Sequence, residues 1–182
     1  MNLFFLHIDP KKCAIFHCDK HVVKMILELV QMLYTANNVM GNIIEGGYRS
    51  FSPQHPTCIW IRQCEKNYLY ACLVAKYLCE EYTFRYGRIH TCEKHVDILT
   101  QSVSFLKFKT IPYKEGVVLS YNKKFQELGH TPVPLAMFDD VKYPDTFKSY
   151  RMYYIVYKRR FAKWTKRDIP WWYTSGNYKM LL

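Results

Sequence analysis

The feature that most constrains this chain is a run from Pro10 to about Asn37 that is apolar nearly all the way round a helix. Asp9-Pro10 supplies an N-cap followed by proline at the first helical position, and Asn37-Asn38 with Gly41 supplies the stop. On a wheel of about 100° per residue, apolar side chains from Ile15 and Phe16 through Val22, Met25, Leu29 and Leu33 cover most of the circumference. His17, His21, Lys24, Glu28 and Gln31 share the remaining arc of roughly 80°. A helix this apolar is buried. Its ionisable row must face a cleft or an internal network, because an unpaired core charge costs on the order of several kcal/mol. One reading is a structural network, with Lys24 and Glu28 paired at i,i+4. The other is a site, since a lysine and a carboxylate in apolar surroundings suit proton transfer or amine attack.

The remaining pattern extends the helical plan over one domain, residues 1–182. Residues 2–8 read as a short buried strand or extended segment. A loop through Gly46-Gly47 leads to a second helix from Thr57 to about Tyr86, ended by Gly87. A third runs from Thr91 to about Leu106. Pro112, Gly116, Gly129, Pro132, Pro134 and Pro144 then break residues 107–145 into short pieces, with one helix near 117–127. Asp145 or Thr146 caps a last helix reaching about Lys166. The fold class is therefore mainly α: a compact single-domain bundle of about four long helices, with a short N-terminal extended segment and an irregular 107–145 region.

Charge and cysteine usage narrow the partners. The formal net charge is +11, enough to attract polyanions and speed their association. From Lys148 onward come Arg151, Lys158, Arg159, Arg160, Lys163, Lys166, Arg167 and Lys179 against one acid, Asp168. Tyr150, Tyr153, Tyr154, Tyr157, Phe161 and Trp164 interleave with these bases, and Trp171, Trp172 and Tyr173 follow. Half of the helical aromatics belong to the core by spacing alone. The exposed remainder can stack on unpaired bases while Arg and Lys hold phosphates. His55-Pro56 opens a helix that brings Arg62 within two turns, a second candidate phosphate contact, with a capped loop and a structurally paired Arg62 as the alternative. The seven cysteines form no paired CxxC knuckles, and their odd number argues for reduced thiols. No signal peptide and no membrane span are expected, which places the domain in the cytoplasm, a nucleus or a viral factory. No cofactor is called for.

Two motifs carry a family resemblance. Asp9-Pro10-Lys11-Lys12-Cys13-Ala14 followed by Cys18-Asp19-Lys20-His21-Val22-Val23-Lys24-Met25-Ile26-Leu27-Glu28, with Gln31 beyond, resembles the opening of the pyrimidine-dimer DNA glycosylase family. His55-Pro56, Arg62, Glu81-Tyr82 and Arg85-Tyr86-Gly87 extend the likeness over about the first 90 residues. A set of phage and large-virus proteins is more similar still, sharing HCDKHVVKMILE and the closing Trp164-Thr165-Lys166-Arg167-Asp168-Ile169-Pro170-Trp171. The resemblance implies a compact helical protein that excises a damaged base from duplex DNA and nicks the strand. An amine attacks the sugar C1′ to form a Schiff base, and a helix glutamate assists. Glu28 matches that glutamate, Lys24 a motif lysine and Gln31 a motif glutamine. His21 stands at an arginine position and Asp19 at an asparagine position. The amine is that of Met1 or of Lys24.

Two other readings stay open. His17, His21 and Glu28 could ligate a metal in a phosphohydrolase, since a His pair at i,i+4 is a zinc geometry. Alternatively the basic, aromatic C-terminal part alone makes a non-catalytic nucleic-acid-binding or host-interacting protein.

Overall fold

The computed structural model describes residues 2–174. It is mainly helical, with seven α-helices and one two-stranded sheet among the described residues. In order they are α1 Pro10–Phe16, α2 Asp19–Val39, α3 Pro56–Ile61, α4 Glu65–Tyr86 and α5 Val96–Gln101. Then come β1 Leu119–Ser120, α6 Lys123–Glu127, β2 Val133–Pro134 and α7 Thr146–Tyr153. β1 pairs antiparallel with β2, Leu119 opposite Pro134 and Ser120 opposite Val133.

The centre is α2 packed on α4, with α1 against α4 and the segment Leu3–Leu6 threaded between them, wholly buried. That segment is extended but forms no strand. Side chains hold its backbone instead: Cys13 Sγ donates to Phe4 O, Arg151 Nε to Leu6 O and Tyr70 Oη to His7 O. Its rings pack on Trp60, Tyr70 and Tyr150.

The long first helix is divided. His17 and Cys18 are extended (ψ 133° and 161°), so α1 ends before α2 begins. The cause is tertiary. Buried Arg85 on α4 donates to Ile15 O and His17 O, which are final carbonyls of α1, and to Asp19 Oδ1 at the start of α2. Asp19 N donates to Lys163 O, and Thr165 returns three bonds to the Asp19 carboxylate, two from its N–H and one from its hydroxyl. Together these partners replace the helical bonds lost at the joint.

The second anticipated helix is likewise divided at Arg62–Cys64, where Asn67 Nδ2 takes the Trp60 carbonyl. Its end at Gly87 stands, in the left-handed conformation at φ 69°. The 91–106 helix shrinks to α5 between 3-10 turns, with Thr100, Ser102 and Ser104 hydroxyls bonding carbonyls three or four residues back. The last helix stops at Tyr153, passes through a π turn at Tyr154–Lys158 and does not reach Lys166, whose φ is 58°. The chain turns there so that 163–165 can reach Asp19. All seven cysteines are free thiols. No helix among the described residues is long and apolar enough to cross a membrane.

Candidate functional site

The five-residue polar row separates into two groups because the wheel assumed one continuous helix. His17 lies in the α1–α2 joint, off the face that α2 presents. Its Nδ1 bonds Cys13 O at 2.7 Å, and its ring is wholly buried. His21 stacks on Phe4 at 4.5 Å and shares a short hydrogen bond with the Tyr154 hydroxyl. Burial pushes the His17 pKa down to about 4, and burial with His17, Lys158 and Lys24 nearby pushes His21 down to about 3. Both rings are therefore neutral parts of an aromatic core. His17, expected as a nucleic-acid contact, and His21, expected as a catalytic group, thus both sit within this buried cluster. Among the described residues no three His, Cys, Asp or Glu side chains converge as a ligand set, so the His17–His21–Glu28 metal arrangement has no geometry behind it.

What remains on α2 is Lys24, Glu28 and Gln31. Lys24 Nζ lies 3.3 Å from Glu28 Oε1; the lysine side chain is 70% exposed and the glutamate side chain 11%. The other carboxylate oxygen, Oε2, accepts the backbone N–H of Asn2 at 3.0 Å. Asn2 is itself fixed from three directions. Its Nδ2 donates to Ala136 O, its Oδ1 accepts from Thr57 Oγ1 at 3.3 Å, and the same oxygen takes Leu3 N. The extended N-terminal segment thus ends against the helix glutamate, held by α3 and by the loop after β2. His55 caps α3 by accepting Thr57 N at its Nδ1. Burial lowers its pKa and the charge of the Glu28 carboxylate opposes that. Gln31 follows one turn on, half-buried. Met1, the other candidate amine, lies outside the described residues.

The second group is the C-terminal basic and aromatic part, and it divides too. Arg151 is committed to Leu6 O and lies over Trp171 and Trp172 at 5.3 and 5.8 Å. Arg167 is bound to Glu81 and stacks on Phe84 at 4.1 Å, while Lys166 Nζ reaches Phe84 O. Tyr150, Tyr154 and Trp172 are wholly buried, so Trp172 belongs to the core and not to a ligand surface. Arg151 and Arg167 have structural work that the charge pattern could not reveal. Lys158 stays on the surface over the Tyr153 ring at 4.5 Å, and Arg159 and Trp171 are exposed.

Sequence reasoning missed three positions. Asn2 and Thr57 have no pattern that marks them; only the threading of the N-terminal segment joins them to Glu28. Phe138 is 59% exposed and packs on Tyr157 at 4.7 Å and Tyr153 at 6.3 Å. Tyr153 in turn stacks on Phe4, two residues from Asn2. An aromatic ladder therefore runs from beside the Glu28 site to the surface, with Lys158 above it and Asp140 accepting the Tyr157 hydroxyl at its outer edge. An exposed phenylalanine after a Pro-rich stretch was the one available signal. Comparison of the chain with protein-family models, curated proteins and solved structures finds no match.

Proposed function

We propose that the protein acts on DNA, excising a damaged base and opening the strand through a Schiff base between a protein amine and the sugar C1′. The observation that carries this reading is Glu28. One of its oxygens is 3.3 Å from the Lys24 amine and the other holds the first described backbone N–H of the chain.

In the reaction an amine nitrogen bonds to C1′, the bond from C1′ to the base breaks, and the base leaves with a proton. Loss of the amine proton and opening of the C1′–O4′ bond give the imine; loss of a C2′ proton then expels the 3′ phosphate as the C3′–O bond breaks, which opens the strand, and water hydrolyses the imine to free the amine. Glu28 carries protons between amine and ring oxygen, since a carboxylate accepts in one step what it returns in the next. Lys24 supplies the amine from the described residues; the α-amine of Met1, whose carbonyl forms the peptide bond to Asn2, is the alternative. The target must leave the duplex stack before C1′ is accessible. Phe138, Tyr157 and Trp171 offer surfaces for an unstacked base, and Lys158, Arg159 and Lys166 offer positive charge to the backbone.

A non-catalytic nucleic-acid-binding reading is favoured by one finding: two of the five row residues are core, and Glu28 already has partners. Glu28→Gln separates the two. The amide still accepts from Asn2, and an ion pair with an exposed lysine contributes only about 0–1 kcal/mol. Melting temperature is expected to shift by no more than about 4 °C. Incision of DNA carrying abasic sites or pyrimidine dimers is expected to fall about 10²–10⁴-fold. Incision by the variant at the wild-type rate would assign Glu28 to structure alone.

A further inference from the structure

Two arginines are deeply buried, and they are satisfied very differently. Arg85 meets two carboxylates and two carbonyls. Arg62, at the C-terminal end of α3, is 3% exposed and makes a single hydrogen bond, from Nη2 to Pro53 O at 2.8 Å. Its Nε and Nη1 are sealed from solvent and have no partner. Among the described residues it forms no ion pair with a carboxylate. Its titratable neighbour is Cys58, whose pKa burial raises to about 11, so the thiol is neutral and supplies no counter-charge. A guanidinium does not escape this situation by losing its proton.

Segment 51–55 meets the guanidinium through Pro53 O, and its Phe51, Ser52 and Gln54 are exposed. It is anchored where Phe51 N meets Thr35 Oγ1 and where His55 N meets Ser52 O. Between those anchors Ser52 is held at φ 47°, in the left-handed region that serine rarely adopts. A strained turn therefore adjoins an uncompensated buried charge.

We infer that Arg62 is the receptor for one tetrahedral oxyanion, which reaches the guanidinium when segment 51–55 moves aside and accepts a charge-assisted hydrogen bond from the unpartnered Nε or Nη1. The class is a phosphate, either free or within a nucleic-acid strand. Segment 51–55 ends at His55, the cap of α3, whose Thr57 hydroxyl bonds Asn2 beside Glu28. A strand phosphate held there would fix the nucleotide neighbouring the one at the Glu28 site, and this part of the inference rests on the proposed function.

The test begins with wild-type protein melted in sodium phosphate or sodium sulfate and in chloride at matched ionic strength. At tenfold excess over the dissociation constant, the oxyanion is expected to raise the melting temperature by about 3–6 °C. Arg62→Met removes the buried charge with little loss of volume. It is expected to melt at or above the wild-type temperature in chloride and to show no oxyanion-dependent rise. Arg62→Gln provides the same comparison should the methionine variant not fold. A wild type indifferent to both oxyanions, or variants that keep the rise, would overturn the inference.

Anisotropy with a labelled abasic-site oligonucleotide then separates the sources. A roughly tenfold loss of affinity in the variant, with phosphate competing only in the wild type, assigns the site to a strand phosphate. Unchanged affinity alongside a lost thermal response assigns it to the free anion. Neither readout requires incision, so failure of the catalytic proposal and failure of this one are distinguishable.

Discussion

Replacing Arg85 with methionine is expected to remove about 3–5 kcal/mol of folding stability, a larger loss than any other single substitution considered for this chain. The side chain is fully buried between Glu81 on its own helix and Asp19 on α2, each at 3.0 Å. It also satisfies the Ile15 and His17 carbonyls where α1 stops. Methionine fills most of the volume but leaves a buried carboxylate with half its partners and two carbonyls with none. Arg167 continues to neutralise Glu81 from the other side, which keeps the loss within the stated range. Urea denaturation of both proteins at neutral pH measures the difference. A loss below about 1 kcal/mol would mean that the α1–α2 joint is held by packing and not by this network. The consequence reaches the site, because Arg85 sets where α2 begins and hence how Lys24 and Glu28 are presented.

Acid is expected to destabilise the protein well before its carboxylates titrate. His17 and His21 have folded-state pKa values of about 4 and about 3, below the value near 6.5 that an unfolded chain gives them. Above about pH 6.5 neither state binds the proton and their contribution to stability is complete. As pH falls through that value the unfolded chain takes up protons that the fold refuses, and stability drops. The decline continues until the folded-state values are reached, at up to about 1.4 kcal/mol per pH unit for each histidine. His130, stacked on Phe125 and lowered to about 4 by burial and then by Lys66, adds to the same window. Urea midpoints measured at intervals from pH 7.5 to 4.5 should fall steeply below pH 6.5. A flat profile across that range would contradict the buried, neutral placement of both rings.

Local chemistry in the sequence marked much of this architecture. Asp9 does cap α1 ahead of Pro10, Gly87 does end α4, and Asp145 does cap the last helix through Lys148 N. Lys24 and Glu28 do pair one turn apart. What stayed hidden depends on residues far away in the chain. Nothing near His17 signals a helix break; the break exists because Arg85, nearly seventy positions on, captures two carbonyls there. With that break the wheel loses His17, and the hydroxyl of Tyr154 claims His21. Charge counting could not tell Arg167, which neutralises Glu81, from Arg159, which stays exposed. Phe138 joins the site through the Asn2–Ala136 contact, across more than 130 residues, and through the Tyr153 ring that packs on Phe4.

The most direct measurement is borohydride reduction of the protein mixed with abasic-site DNA, followed by mass mapping of any covalent adduct. If Glu28 serves an amine that attacks C1′, a one-to-one adduct forms on Lys24 or on the α-amine of Met1, and Glu28→Gln strongly reduces it. DNA binding with no adduct at any pH where the protein is folded would contradict that chemistry and leave a protein that holds nucleic acid without altering it.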